Sequence, residues 1–122
     1  MKIENIKFKA KQLNSGKWFE GDLVRIGNRV CIGGDHIKDG ITDVDPSTVC
    51  QFTGLKDSKG QEIWEGDILA GELKCEITFT KGTFITHSIY DGKVYSYPLC
   101  YFVKEDGTVD SKVVGNKFDK EK

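Results

Sequence analysis

Only 2 prolines, 1 methionine and 2 histidines occur in 122 residues, and the longest uninterrupted apolar run is Leu99-Cys100-Tyr101-Phe102-Val103. A run that short rules out a membrane-spanning helix, which needs roughly 20 apolar residues. Charge of one sign is missing too. The 18 Lys+Arg against 19 Asp+Glu leave −1, so no bulk positive field exists to displace counterions from a nucleic acid. The four cysteines, Cys31, Cys50, Cys75 and Cys100, form no Cys-x-x-Cys pair and have no histidine at ligand spacing. That argues against zinc, and no metal or cofactor is expected. The cysteines read as free thiols acting as small hydrophobes, with Cys75 and Cys100 on buried strand faces. The 14 glycines point to many tight turns.

Charge is segregated rather than scarce. Residues 1–30 hold seven basic side chains against three acidic, residues 31–72 three against nine, and residues 73–122 eight against seven. Opposite segments on neighbouring surfaces can neutralise one another. Alternatively the first third presents a basic strip, for which Lys7, Lys9 and Lys11 are the candidates. The opening residues alternate charged and apolar side chains without a hydrophobic stretch, so no signal peptide is expected and the protein is expected in the cytoplasm. The length suits one domain over residues 1–122.

Period-two alternation dominates. From Glu72 to Thr80, Leu73, Cys75, Ile77 and Phe79 share one face. A Lys81-Gly82 turn, a β-branched and aromatic stretch from Thr83 to Tyr90, an Asp91-Gly92 turn and Lys93 to Tyr97 complete a three-stranded meander. Beyond Pro98 the pattern predicts a strand over 99–104, a Glu105-Asp106-Gly107 turn and a return over 108–115. Earlier strands are expected over 6–11, 18–26 and 29–32, and one helical turn at Pro46 capped by Asp45. The expected fold class is mainly β: a small barrel-like antiparallel domain with little helix, two-lobed if its paired hairpins are lobes.

The pairing comes from a repeat. Trp18-Phe19-Glu20-Gly21-Asp22-Leu23-Val24 is echoed by Ile63-Trp64-Glu65-Gly66-Asp67-Ile68-Leu69, each after a polar glycine turn. Either a duplication made lobes of residues 1–50 and 51–122, or two hairpins met one geometric demand. The carboxylates of Glu20, Asp22, Glu65 and Asp67 invite a metal or acid–base reading. The structural reading is simpler: Gly21 and Gly66 supply bends with positive φ, and the next aspartate caps an N–H that the bend frees.

The stretch 43–69 contains Phe52-Thr53-Gly54-Leu55-Lys56-Asp57, a turn at Gly60, and Glu62-Ile63-Trp64-Glu65-Gly66-Asp67-Ile68. Ile6-Lys7-Phe8-Lys9-Ala10 precedes it and Val113-Val114-Gly115-Asn116 follows. Together these resemble the YopX-like family of small phage and prophage proteins. The resemblance implies a mainly β, barrel-like fold, a mobile-element origin and hence a bacterial cytoplasm; it carries over no catalytic residue. In physical terms, Gly54 and Gly60 permit reversals, residues 57–60 form a hairpin turn, and Phe52, Leu55, Ile63, Trp64 and Ile68 are core candidates.

Chemistry-bearing residues are otherwise few. His36 and His87 lack a local nucleophile arrangement, and Gly33-Gly34 lacks the lysine and helix of a phosphate loop. Tyr90, Tyr95, Tyr97 and Tyr101 cluster in the C-terminal strands. On one surface with Lys81, Lys93 and Lys104 they could stack single-stranded bases or seat a protein; packing in the sheet is the alternative. The expectation is a non-enzymatic binding module contacting protein or nucleic acid, with a structural homo-oligomer next and an enzyme last. A protein partner or second copy is expected ahead of nucleic acid, and no membrane.

Overall fold

Alternating sequence becomes strand in nearly every place where it occurs. The computed structural model describes residues 2–71 and 73–119, and the chain divides into two units, Met1–Phe52 and Thr53–Lys122. In the first, β1 (Phe8–Lys11) pairs antiparallel with β2 (Trp18–Ile26), β2 with β3 (Arg29–Gly33) and β3 with β4 (Ile41–Asp43). Asp45 accepts the Ser47 N–H at 3.0 Å and caps the 3-10 turn Pro46–Thr48. The sheet then curls. Gln12 bridges Val44, the Leu13 N–H donates to the Asp43 carbonyl and the Asp45 N–H to that of Lys11. One bridge draws the rim together without making a closed barrel. Inside lie Ala10, Ile32, Ile37 and Val44, flanked by Phe8, Phe19 and Leu23.

β5 (Cys50–Asp57) starts in the first unit, where Cys50 and Gln51 pair with β1, and ends in the second. There follow β6 (Glu62–Trp64), β7 (Asp67–Ala70), β8 (Lys74–Thr80), β9 (Thr83–Tyr90), β10 (Lys93–Pro98), β11 (Thr108–Val109) and β12 (Lys112–Asn116). The order β10-β9-β8-β7-β12 forms an antiparallel sheet, which contains the expected meander. β6 pairs with β5, and β11 runs parallel to the end of β5. The core is Ile63, Leu69, Ile77, Leu99 and Val109, with Leu55 against it. The fold is mainly β.

Several local expectations change. Residues 99–104 are not a strand: Leu99–Phe102 is a 3-10 helix. Leu99 is buried while Cys100, Tyr101 and Phe102 are all exposed. That pattern suits one anchored turn, and Pro98 has no N–H with which to continue a ladder. Cys100 therefore faces outward, not into a strand face. The return over 108–115 splits into β11 and β12, which have different partners. Glu72 lies outside the described residues, and Leu73 and Phe79 are exposed rather than core. Gly54 has φ 85 but sits within β5, so no reversal occurs there.

The two Glu-Gly-Asp triplets use glycine for different reasons. Gly66 has φ 88, the expected bend. Gly21 has no positive φ, and β2 runs straight through it. A Cβ at Gly21 would fall on the carbonyl oxygen of Gly33 in β3, so close approach of two backbones is what requires glycine.

Candidate functional site

The residues shared with the family signature build a frame inside the second unit. Asp57 is fully buried, and its carboxylate accepts N–H groups from Lys59, Gln61 and Val113, each at 2.8 Å. One side chain thus closes the turn around Gly60 and ties it to β12. Asp67, also buried, accepts the Trp64 N–H at 2.8 Å and the Asn116 side-chain amide at 2.9 Å. The same amide group donates to the Glu65 carbonyl, and Asn116 Oδ1 accepts the Phe118 N–H. The central and closing motifs are therefore one hydrogen-bonded assembly. Phe52 lies in the first unit, buried. Within the second unit, Ile63 and Trp64 are buried, Leu55 packs on the core, and Thr53 Oγ1 secures Gly54 by accepting the Leu55 N–H.

Burial pushes the Asp57 carboxyl up, but the N–H groups of Val113, Gln61, Lys59 and Gly60 outweigh it and hold the group below the usual carboxylate range. A carboxyl depressed on folding lends stability above its unfolded pKa, about 3.9, and loses it as pH falls through the lower folded value. Urea midpoints read from Trp64 should therefore drop on acidification from about pH 5 to about pH 3, and Asp57→Asn should flatten that drop. An unchanged slope in Asp57→Asn would contradict the assignment.

Lys7, Lys9 and Lys11 do come together on one face of the first unit. Lys9 and Lys11 lie over the Trp18 ring, with Nζ 4.6 and 5.5 Å from its centroid, and Lys7 lies over Phe52 at 4.8 Å and 3.6 Å from Glu20. The strip is a ladder of lysine ammonium groups over aromatic rings. In the same unit, Cys31 Sγ and Arg29 Nε both bond Asp43 Oδ1.

The tyrosines form the other constellation. Asp91 (φ 53) and Gly92 (φ 75) make a two-residue turn that fixes the β9–β10 register. Tyr95 then faces Ser88, Tyr97 faces Thr86, and Lys93 faces Tyr90. The row Ile77, Thr86, Tyr97 passes from full burial to exposure across three strands. Pro98 ends β10 and Leu99 anchors the 3-10 helix in the core, which returns Tyr101 and Phe102 to Tyr97. Tyr101 stacks on Tyr97 at 5.5 Å and 14°, and Phe102 meets both rings edge-on. Tyr90, Tyr95, Tyr97 and Phe102 wall a cleft of about 580 Å³. Buried Leu69 and Thr86 line it as well, as do Asp110 and Ser111. All four tyrosines are exposed; Tyr101 stands outside the cleft lining. Sequence reasoning missed Phe102 and Asp110, which no period-two pattern places there.

Of the lysines expected beside them, Lys93 lies opposite Tyr90, whereas Lys81 sits in the turn at the other end of β9. His87 Nδ1 and Ser96 Oγ share a 2.7 Å hydrogen bond across β9 and β10. Glu76, paired with His87 in register, is bound to Lys117 at 3.5 Å. His36 Nε2 lies 2.6 Å from the Glu20 carbonyl oxygen. Among the described residues no cluster of three or more His, Cys, Asp or Glu side chains could hold a metal, and no helix is long and apolar enough to cross a membrane.

A family model described as YopX protein matches residues 7–120. No curated protein matches the chain. The match spans both units and includes the Asp57, Asp67 and Asn116 frame, and the chain belongs to the YopX family.

Proposed function

We propose that the protein is a non-enzymatic binding module that holds a protein partner on the outer half of the β9–β10 hairpin, in a bacterial cytoplasm and in the service of a phage or prophage. One observation carries this reading: the hairpin is apolar and exposed on both faces. Ile89 (73%) and Val94 (64%) project to one side, Tyr90 (58%), Tyr95 and Tyr97 to the other. A two-stranded ribbon gains little stability alone, and contiguous exposed apolar surface marks interaction sites. β10 also pairs only with β9 among the described strands, so its outer edge can accept another strand.

The side chains an enzymatic reading would recruit are engaged elsewhere. Asp57 and Asp67 shape turns, and both histidines are hydrogen-bonded. Nucleic acid is disfavoured by the place of Lys81, in the turn at the end of β9 away from Tyr90, and by the ring contacts of Lys7, Lys9 and Lys11.

Affinity capture from host cells tests the reading. Val94→Glu/Tyr95→Glu should lose a discrete protein partner, and Lys7→Glu/Lys9→Glu/Lys11→Glu should keep it, both variants retaining the parent's far-UV spectrum. Loss with the lysine variant alone, or capture of nucleic acid in place of protein, would contradict it.

A further inference from the structure

The cleft on the tyrosine face has aromatic walls and charge of one sign. Tyr90, Tyr95, Tyr97 and Phe102 supply the rings, and Asp110 is the one charged side chain among the described residues lining it. Asp110 is exposed, and no ion pair among the described residues holds its carboxylate. Its backbone is fixed instead, by donation of its N–H to the Phe102 carbonyl at 3.1 Å, so the acid and one wall of the cleft keep a set relation.

Aromatic faces attract cations through the ring quadrupole. A carboxylate beside low-dielectric walls strengthens that preference, since charge interactions grow as the effective dielectric falls. We propose that the cleft is an aromatic-and-acid cage for a lysine or arginine side chain of a protein partner, with the cation over the tyrosine rings and paired with Asp110. This rests on the reading that the tyrosine face of the hairpin binds protein.

Other guests fit less well. The phosphate of a nucleotide would meet the like charge of Asp110. A neutral or apolar side chain would cover that carboxylate without pairing it, a desolvation cost with no return. Lys93 is opposite Tyr90 in register but does not line the cleft. A volume of about 580 Å³ is in the usual range for ligand sites, enough for a guanidinium and its stem. Arginine suits it best, because a planar guanidinium can stack on a ring while donating to a carboxylate.

The test uses the full chain and two blocked pentapeptides, a central arginine or citrulline flanked by glycines, followed by amide chemical shifts. The arginine peptide should shift the amides of Thr86, Ser88, Tyr95 and Tyr97 saturably. Citrulline, equal in shape and uncharged, should bind at least about fivefold more weakly. Asp110→Asn should bring the arginine peptide down to the citrulline level, and Tyr95→Leu should weaken it further. Both side chains are exposed, so neither change threatens the fold. Equal binding of the two peptides, shifts confined to residues elsewhere, no saturable shift at all, or tighter binding of a thymidine oligonucleotide at the same amides would each overturn the cage. If the hairpin variant loses its captured partner while citrulline binds as well as arginine, the cage falls and the hairpin interface stands. If that variant keeps its partner, the hairpin reading falls.

Discussion

Asp57→Ala is expected to destabilise the second unit by about 3–5 kcal/mol, because it removes a buried carboxylate on which three backbone N–H donors converge. The N–H groups of Lys59, Gln61 and Val113 all point at this carboxylate, and it is fully buried. Leaving a buried donor unsatisfied costs about 1–3 kcal/mol, and water entering the cavity recovers part of the sum. Against a typical total of about 5–15 kcal/mol the loss is large. The chain's two tryptophans, Trp18 and Trp64, fall one in each unit. In a Trp18→Phe background, Trp64 emission therefore reports the second unit by itself. Its urea midpoint should fall steeply in Asp57→Ala and less in Asp57→Asn, which keeps one acceptor oxygen. A midpoint within about 0.5 kcal/mol of the parent would mean that the turn and β12 do not depend on this side chain.

Gly21→Val is expected to cost the first unit about 2–4 kcal/mol by forcing β2 and β3 apart. The new Cβ would fall on the Gly33 carbonyl oxygen and lie 3.2 Å from Ile32 Cγ2, so backbone as well as side chain must move. Gly16→Ala separates this from conformational strain: Gly16 has φ +72 and nothing within 4 Å of its added Cβ. Only strain of about 1 kcal/mol should appear there. Amide exchange at Val30 and Ile32 should accelerate strongly in Gly21→Val and little in Gly16→Ala. Equal acceleration in both would remove the close-approach explanation.

Much of this fold is legible in the sequence because strands and two-residue turns are local. The meander from β8 to β10 follows from alternation and from Lys81-Gly82 and Asp91-Gly92, both of which take positive φ. Non-local facts were not legible. Gly21 and Gly66 occupy matched positions, yet one answers to a neighbouring strand and the other to its own backbone. Residues 99–102 have strong β propensity, but burial of Leu99 and stacking on Tyr97 hold them in a 3-10 helix. That turn delivers Phe102, and the break between β11 and β12 delivers Asp110, so two walls of the cleft arise where the periodic pattern lapses. Whether the tyrosines are exposed was equally hidden: alternation shows that Tyr95 and Tyr97 share a face but not that the face is uncovered. Alternation alone puts Lys7, Lys9 and Lys11 on one face, whereas their contacts with Trp18 and Phe52 depend on strand pairing.

The β9–β10 hairpin as the binding surface is tested most directly by photo-crosslinking in bacterial host cells, with benzoylphenylalanine placed at Val94, at Tyr95 or, as a control in the first unit, at exposed Leu13. Positions 94 and 95 should each give one discrete adduct with the same protein, identified by mass spectrometry, and position 13 none. An adduct with a second copy of the chain would make that protein its own partner. Adducts from Leu13 alone, or equal and diffuse labelling from all three positions, would contradict a hairpin interface.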